Sequence, residues 1–108
     1  MDKTRELVRE LDKITECGKF KADIILKNQV NRAALSIMLN IAEGFGRRSN
    51  KEFINYLNIS HGSTSEIQSA MYVALDRKHV DDNIFKDIYA KCSEISRMIM
   101  GLIKYLRD

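Results

Sequence analysis

The sequence predicts an all-α protein with the architecture of an antiparallel, up-down-up-down four-helix bundle. The 108-residue chain contains no proline and only five glycines, so it offers few sites for turns and favours a few long helices over many short strands. Apolar residues recur every three or four positions along four segments separated by short connections, as in helices that each bury one face in a bundle. The length predicts one domain, residues 1–108.

The spacing of apolar residues defines the first two helices. Leu7 and Ile14 lie on the apolar face of a helix over about residues 3–16, and Gly18 is suited to end it because glycine adopts a left-handed conformation at little cost. A second helix is predicted over about residues 22–44. Its second half, AALSIMLNIA, is apolar almost all round. We therefore expect this segment to be buried on a second side as well, for example by a subunit interface.

The last two helices carry clearer start signals. Ser49 followed by Glu52 is a capping box that begins a third helix over about residues 50–78. The small polar stretch SHGSTSE on its inner stripe indicates close approach to another helix. Asp81 and Asp82 suit the start of a fourth helix. Its bundle seam has spacings of four and three and consists of Ile88, Cys92, Ile95, Ile99, Leu102 and Leu106.

Charge and composition limit the functions to consider. The net charge is only +3, but residues 17–61 contain seven basic and three acidic side chains. The two cysteines and two histidines are not at metal-ligand spacing, and no constellation of residues supports catalysis. We therefore expect no enzyme, cofactor or metal site. The N-terminus resembles no signal peptide and no apolar run is long enough to span a membrane, so we expect a cytoplasmic protein.

One long ordered signature lies in residues 29–67, QVNRAALSIMLNIAEGFGRRSNKEFINYLNISHGSTSEI. It contains Arg32-Ala33-Ala34, Ser36-Ile37, Asn40-Ile41-Ala42-Glu43-Gly44-Phe45-Gly46-Arg47, Ser49, Lys51-Glu52-Phe53, Leu57, Gly62-Ser63 and Glu66. This stretch closely resembles the signature of the small four-helix-bundle proteins encoded within intervening sequences of bacterial 23S ribosomal RNA genes. The resemblance implies an antiparallel bundle that assembles as a closed ring, commonly a homopentamer. Nucleic-acid binding is implied by analogy, through a distant branch that resembles the basic ring proteins of diversity-generating retroelements.

Three polar residues interrupt the apolar second helix. Ser36, Asn40 and Glu43 share one face because they are three and four positions apart. We interpret them as a structural network and expect Asn40 and Glu43 to be buried, with hydrogen bonds to the third helix or to a neighbouring chain. The alternative makes Glu43 an acid or base that faces His61 across the bundle.

The turn after the second helix is the candidate binding site. Its two glycines let the chain turn, and Arg47, Arg48 and Lys51 then lie near the free N–H groups that begin the third helix. This arrangement predicts a site that binds phosphates without reading base sequence. The alternative is a solvated corner whose arginines cap the end of the second helix. Lys27 and Arg32 complete the candidate nucleic-acid-binding set.

From these features we expect a non-enzymatic homo-oligomer that binds structured RNA or a ribonucleoprotein through a basic rim. The alternative is a protein–protein adaptor with no nucleic-acid binding, whose exposed apolar faces contact another protein. Two observations on the basic set Lys27, Arg32, Arg47, Arg48 and Lys51 discriminate between these functions. If these side chains lie together on one face, nucleic-acid binding is favoured. If they form ion pairs with acidic residues, the adaptor is favoured. Tyr56 and Tyr72 are candidate stacking platforms, although isolated tyrosines more often serve packing.

Overall fold

A computed structural model describes residues 2–107 of the chain. Its helices are α1 (Asp2–Thr15), α2 (Gly18–Ala22), α3 (Ile24–Phe45), α4 (Asn50–Asp76) and α5 (Asp82–Arg107). The described part of the chain contains no strand, so the predicted all-α class is confirmed. The four predicted helices correspond to α1, α3, α4 and α5, which form a body of 45 × 21 × 20 Å. Within this part of the chain, no helix is both long enough and apolar enough to cross a membrane.

The helices α3 and α4 pack closely and run in opposite directions. Ser63 Oγ donates a hydrogen bond of 2.9 Å to Ser36 Oγ, and Ser60 Oγ donates one of 2.9 Å to Ile37 O. The later residue of α4 therefore pairs with the earlier residue of α3, which is the order of an antiparallel pair. Because a serine side chain is short, a bond from Ser60 to the opposite backbone requires the two helices to lie close together.

The helices α4 and α5 also run in opposite directions, and α1 closes the bundle. Gln68 Nε2 donates 3.2 Å to Tyr89 O, whereas Asn50 Nδ2, near the start of α4, donates 3.2 Å to Leu106 O, near the end of α5. The helix α1 packs against both α3 and α5. Lys3 of α1 pairs with Glu94 and Glu10 pairs with Lys91, so α1 runs opposite to α5. The pairs α1–α5, α3–α4 and α4–α5 are therefore all antiparallel.

The core is continuous through the four long helices. Its fully buried apolar side chains include Leu7, Leu11, Val30, Ile37, Leu57, Ile67, Met71, Ile88, Ile99 and Ile103. In the predicted seam of α5, the first four residues are buried, while Leu102 and Leu106 are half-buried. The seam residues of α5 are thus less buried toward its C-terminal end.

The short helix α2 was not predicted. Its Phe20 is fully buried and stacks on the His79 ring with 5.1 Å between ring centroids. Gly18 has a φ of +52°, so the expected left-handed glycine is the first residue of α2, just after the end of α1. A helix of five residues is shorter than the window over which apolar periodicity can be recognised.

Asp23 joins α2 and α3 to the turn between α4 and α5. Its Oδ2 accepts hydrogen bonds from His79 Nε2 at 2.8 Å and Arg77 Nη1 at 2.7 Å, and its Oδ1 accepts one from Leu26 N at 3.4 Å. The bond from His79, followed by that from Arg77, lowers the pKa of Asp23 from 3.8 to about 2. This carboxylate therefore links the start of α3 to the residues that follow α4. These contacts lie at the end of the bundle opposite the turn between α3 and α4.

Candidate nucleic-acid interface

The corner between α3 and α4 consists of residues 46–49. Gly46 caps α3, and its backbone N–H donates 3.1 Å to Glu43 O. Ser49 Oγ accepts a hydrogen bond of 3.2 Å from Glu52 N and begins α4, as the capping-box pattern predicts. All four residues of the corner are exposed. Its two arginines therefore lie outside the core.

Arg47 is held in place by its neighbours. Its Nη2 donates hydrogen bonds to the Glu43 carboxylate and, at 2.8 Å, to the Tyr56 hydroxyl. Its guanidinium carbon lies 4.9 Å from the centroid of the Tyr56 ring, a cation–π contact. The charge of Arg47 is therefore partly neutralised, and the face of Tyr56 that Arg47 covers is not open for base stacking.

Glu43 departs from its predicted environment. Its side chain is 55% exposed in the single chain and forms an ion pair with Arg47, which lies four positions later in the corner. Glu43 is therefore not buried against α4 within the single chain, while its burial against a neighbouring chain stays a prediction. The physical reason is its position one turn before the corner, within reach of the arginine there. Among the described residues, no hydrogen bond joins Glu43 to His61 either.

The other two members of the predicted network do contact each other. Asn40 Nδ2 donates to Ser36 O at 2.8 Å and to Ser36 Oγ at 3.1 Å. Ser36 Oγ also accepts the bond from Ser63, so the network reaches α4 through the Ser36 hydroxyl. Asn40 itself is half-buried rather than buried. These contacts are structural in character, since they satisfy polar groups at the crossing of α3 and α4.

The five predicted basic residues do not form one cluster. Lys27 lies near the opposite end of α3 and forms an ion pair with Glu16. Arg32 is exposed farther along the same helix. The separation of Lys27 from the corner is about 27 Å at 1.5 Å per residue. The structure therefore brings together only Arg47, Arg48 and Lys51, and the convergence required of all five residues does not occur.

Two basic residues that sequence reasoning missed lie at the same end of the bundle as the corner. Lys104 and Arg107 occupy the last turn of α5, and the bond from Asn50 to Leu106 holds that turn beside the start of α4. Basic side chains in a last turn are common because they face the negative end of the helix dipole. Only the antiparallel order of α4 and α5 indicates that they join the corner.

We call this surface the basic end, and it consists of Arg47, Arg48, Lys51, Lys104 and Arg107. Of these five cations, only Arg47 forms an ion pair with a residue in the range 2–107. The nearby carboxylates within that range are Glu43, which pairs with Arg47, and Glu52. Within residues 2–107, four of the five cations of the basic end therefore have no ion-pair partner.

Comparisons with known proteins agree with this architecture. A crystal structure of a protein of unknown function from the S23 ribosomal protein family of Bacteroides thetaiotaomicron is similar, with a TM-score of 0.87 and 23% identity over 95% of this chain and 96% of that chain. That similarity concerns the fold. Among curated proteins no match was found. The family model for the 23S rRNA-intervening sequence protein matches residues 1–101. The chain therefore belongs to the 23S rRNA-intervening sequence protein family.

Proposed function

We propose that the protein is a non-enzymatic homo-oligomer that binds the phosphate backbone of RNA through the basic end. The observation that carries this proposal is the gathering of five cations from α4, α5 and the corner, four of them without an ion-pair partner among residues 2–107. Cations that neutralise phosphates displace condensed counterions from nucleic acid, which drives binding that is independent of base sequence. Phosphate contacts of this kind position a nucleic acid without reading it.

Exposed apolar side chains support assembly from several copies. Leu35 and Leu39 lie one turn apart on the outer face of α3 and are 50% and 57% exposed. The bonds between α3 and α4 place the exposed Ile59 at about the level of Leu39. An apolar patch formed by these side chains would be typical of an interaction site. In a cyclic oligomer, with five subunits as the first expectation, the basic end recurs once per subunit.

An adaptor that binds only protein is the second candidate. The ion pairs of Arg47 with Glu43 and of Lys27 with Glu16 favour it, because these two cations already have acidic partners. The exposed apolar face of α3 would then contact a different protein. The adaptor and the RNA-binding oligomer differ in whether the purified protein binds nucleic acid.

A charge-matched pair of variants tests the proposal. Arg48→Gln with Lys104→Gln removes two cations from the basic end, and Lys19→Gln with Arg32→Gln removes two exposed cations elsewhere. Anisotropy titrations with a labelled structured RNA across a salt series give the dependence of affinity on salt. We expect the first variant to bind all sequences more weakly and to lower the salt slope by about 2. The second variant should change the slope much less.

The outcomes separate the two candidates. Equal losses in both double variants would show that binding follows net charge and not the basic end. No binding by the wild-type protein at low salt would eliminate the proposed function and leave the adaptor.

A further inference from the structure

The outer groove between α4 and α5 connects the basic end to a cluster of three aromatic rings. Toward its aromatic end, Gln68 Nε2 donates to Tyr89 O at 3.2 Å and to Ser93 Oγ at 3.0 Å. On α5, spacings of three and four continue the face of Ser93 through Met100 to Arg107. We call this feature the α4–α5 groove, and its positions lie within residues 50–72 of α4 and 85–107 of α5.

Two cations lie at the basic end of this groove. Met100, Lys104 and Arg107 line one surface concavity on α5. Neither of the two cations forms an ion pair with any residue that the structure describes. At the far end, Lys86 follows the aromatic Phe85 directly and is exposed. An anionic ligand lying along the groove would therefore meet cations at both ends.

The carboxylates within these two ranges contact residues on the sides that face α1 and α3. Within the ranges of the groove, α4 carries Glu52 and Glu66, and α5 carries Asp87 and Glu94. Asp87 pairs with Lys91, which also pairs with Glu10 of α1. Glu66 bonds to Gln29 of α3 and Glu94 pairs with Lys3 of α1. Glu52 lines a concavity with Arg47 on the side of α3. The part of the groove that the structure describes thus presents mainly positive charge and neutral polar groups to a ligand.

The aromatic cluster supplies a fixed and open ring. Tyr72 is 52% exposed, although it lies between two other rings. Its centroid is 4.9 Å from that of Phe85 and 5.8 Å from that of Tyr89, the latter in an edge-on arrangement. These contacts fix the orientation of Tyr72 before any ligand binds. A rigid, half-exposed ring of this kind suits stacking with a nucleobase, which tolerates any base because each has a π-face.

We propose that the α4–α5 groove binds a single-stranded segment of nucleic acid, with phosphates on Lys104 and Arg107 and a base stacked on Tyr72. This inference rests on the proposed RNA binding and specifies which form of RNA the protein prefers. From Tyr89 to Lys104 the groove is about 22 Å long at 1.5 Å per residue, which corresponds to about six nucleotides at the 3.4 Å spacing of a stacked strand. In a duplex the bases are paired and stacked on each other, so Tyr72 can engage only an unpaired base.

Variants of Tyr72 test this proposal against a labelled 12-nucleotide oligouridylate and an RNA duplex of equal length. We expect Tyr72→Ala to weaken binding of the single strand about 5-fold or more, with an unchanged salt slope and unchanged duplex binding. Tyr72→Phe retains the ring and should bind as the wild type does. Tyr72→Leu retains apolar contacts without a π-face, so it should lose affinity while keeping the cluster packed.

Tyr105→Ala is the matched control, because Tyr105 is 76% exposed on α5 but lies outside the aromatic cluster. It should bind both probes as the wild type does. If Tyr72→Ala and Tyr72→Leu bind the single strand normally, the inference fails while RNA binding at the basic end stands. If the wild-type protein binds neither probe, the proposed function itself fails. Equal affinity for poly-L-glutamate and for oligouridylate would assign the groove to an acidic protein and overturn the inference.

Discussion

At the residue scale, Gly44 decides how closely α3 and α4 approach. A Cβ atom at this position would stand 2.6 Å from Cδ1 of Phe53 and 3.2 Å from Cβ of Tyr56. The Phe53 ring can rotate, but Tyr56 Cβ is attached directly to the backbone of α4. Helix propensity alone favours alanine over glycine by about 1 kcal/mol. Overpacking costs about 1–3 kcal/mol, so we expect the steric effect to prevail.

We therefore predict that Gly44→Ala lowers the free energy of unfolding by up to about 2 kcal/mol. Gly62→Ala and Gly101→Ala are the controls, since a Cβ at either position meets nothing within 4 Å and both residues lie inside helices. Each control should stabilise the protein by about 0.5–1 kcal/mol. Urea titrations of the three variants give the comparison. A Gly44→Ala protein as stable as the controls would mean that α3 and α4 do not touch there.

At the scale of helices, Asp23 is the residue that links separate elements. Its carboxylate caps α3 and accepts bonds from Arg77 and His79, which follow α4. Because its pKa is lowered from 3.8 to about 2, the folded protein favours the ionised form more than the unfolded chain does. The resulting stabilisation is complete above about pH 4 and is lost as the pH falls toward 2.

The corresponding prediction concerns Asp23→Asn, which retains a side chain able to cap α3 but removes the charge. This variant should be less stable than the wild type at pH 7, and the difference should shrink as the pH falls from about 4 to 2. Urea titrations between pH 2 and pH 7 measure it. Asp12→Asn is the control, because Asp12 is exposed on α1, and its effect should be small throughout. A difference that persists unchanged at pH 2 would show that Asp23 acts through its shape and not its charge.

The helices show which features local sequence can predict. The periodicity of apolar residues and the Ser49 cap identified all four long helices, because a helix reveals its buried face through spacing and its start through a capping residue. The helix α2 could not be predicted in this way, because Phe20 is its only buried residue and a five-residue helix has no second apolar residue at helical spacing. The partner of Phe20 is His79, which lies 59 positions further along the chain.

For the whole molecule, the candidate site was predicted only where it is local in sequence. Arg47, Arg48 and Lys51 are within five positions of each other, so their proximity follows from the corner. Lys104 and Arg107 reach the same surface only through the antiparallel packing of α5 on α4. The sequence does not reveal which of several polar neighbours a flexible carboxylate will contact. The side chain of Glu43 was therefore expected to contact α4, whereas in the structure it pairs with Arg47.

The last prediction concerns assembly and its effect on binding. Leu35→Ser with Leu39→Ser removes two exposed side chains from the outer face of α3, so it should leave the helical content of the single chain unchanged. Met98→Ser with Tyr105→Ser removes two exposed side chains from α5 and serves as the control. Light scattering at micromolar concentration should report a multiple of 12.5 kDa for the wild type and control. The α3 variant should shift toward a single chain.

Binding should follow assembly, because linked sites bind a long ligand more tightly than single sites do. We expect the α3 variant to bind a long structured RNA more weakly than the wild type does. Its affinity for an oligonucleotide of about six nucleotides, which reaches one subunit, should be unchanged. A wild-type particle of 12.5 kDa would contradict oligomerisation. An α3 variant that remains assembled would place the interface elsewhere, and equal losses for long and short RNA would mean that the α3 face contacts RNA directly.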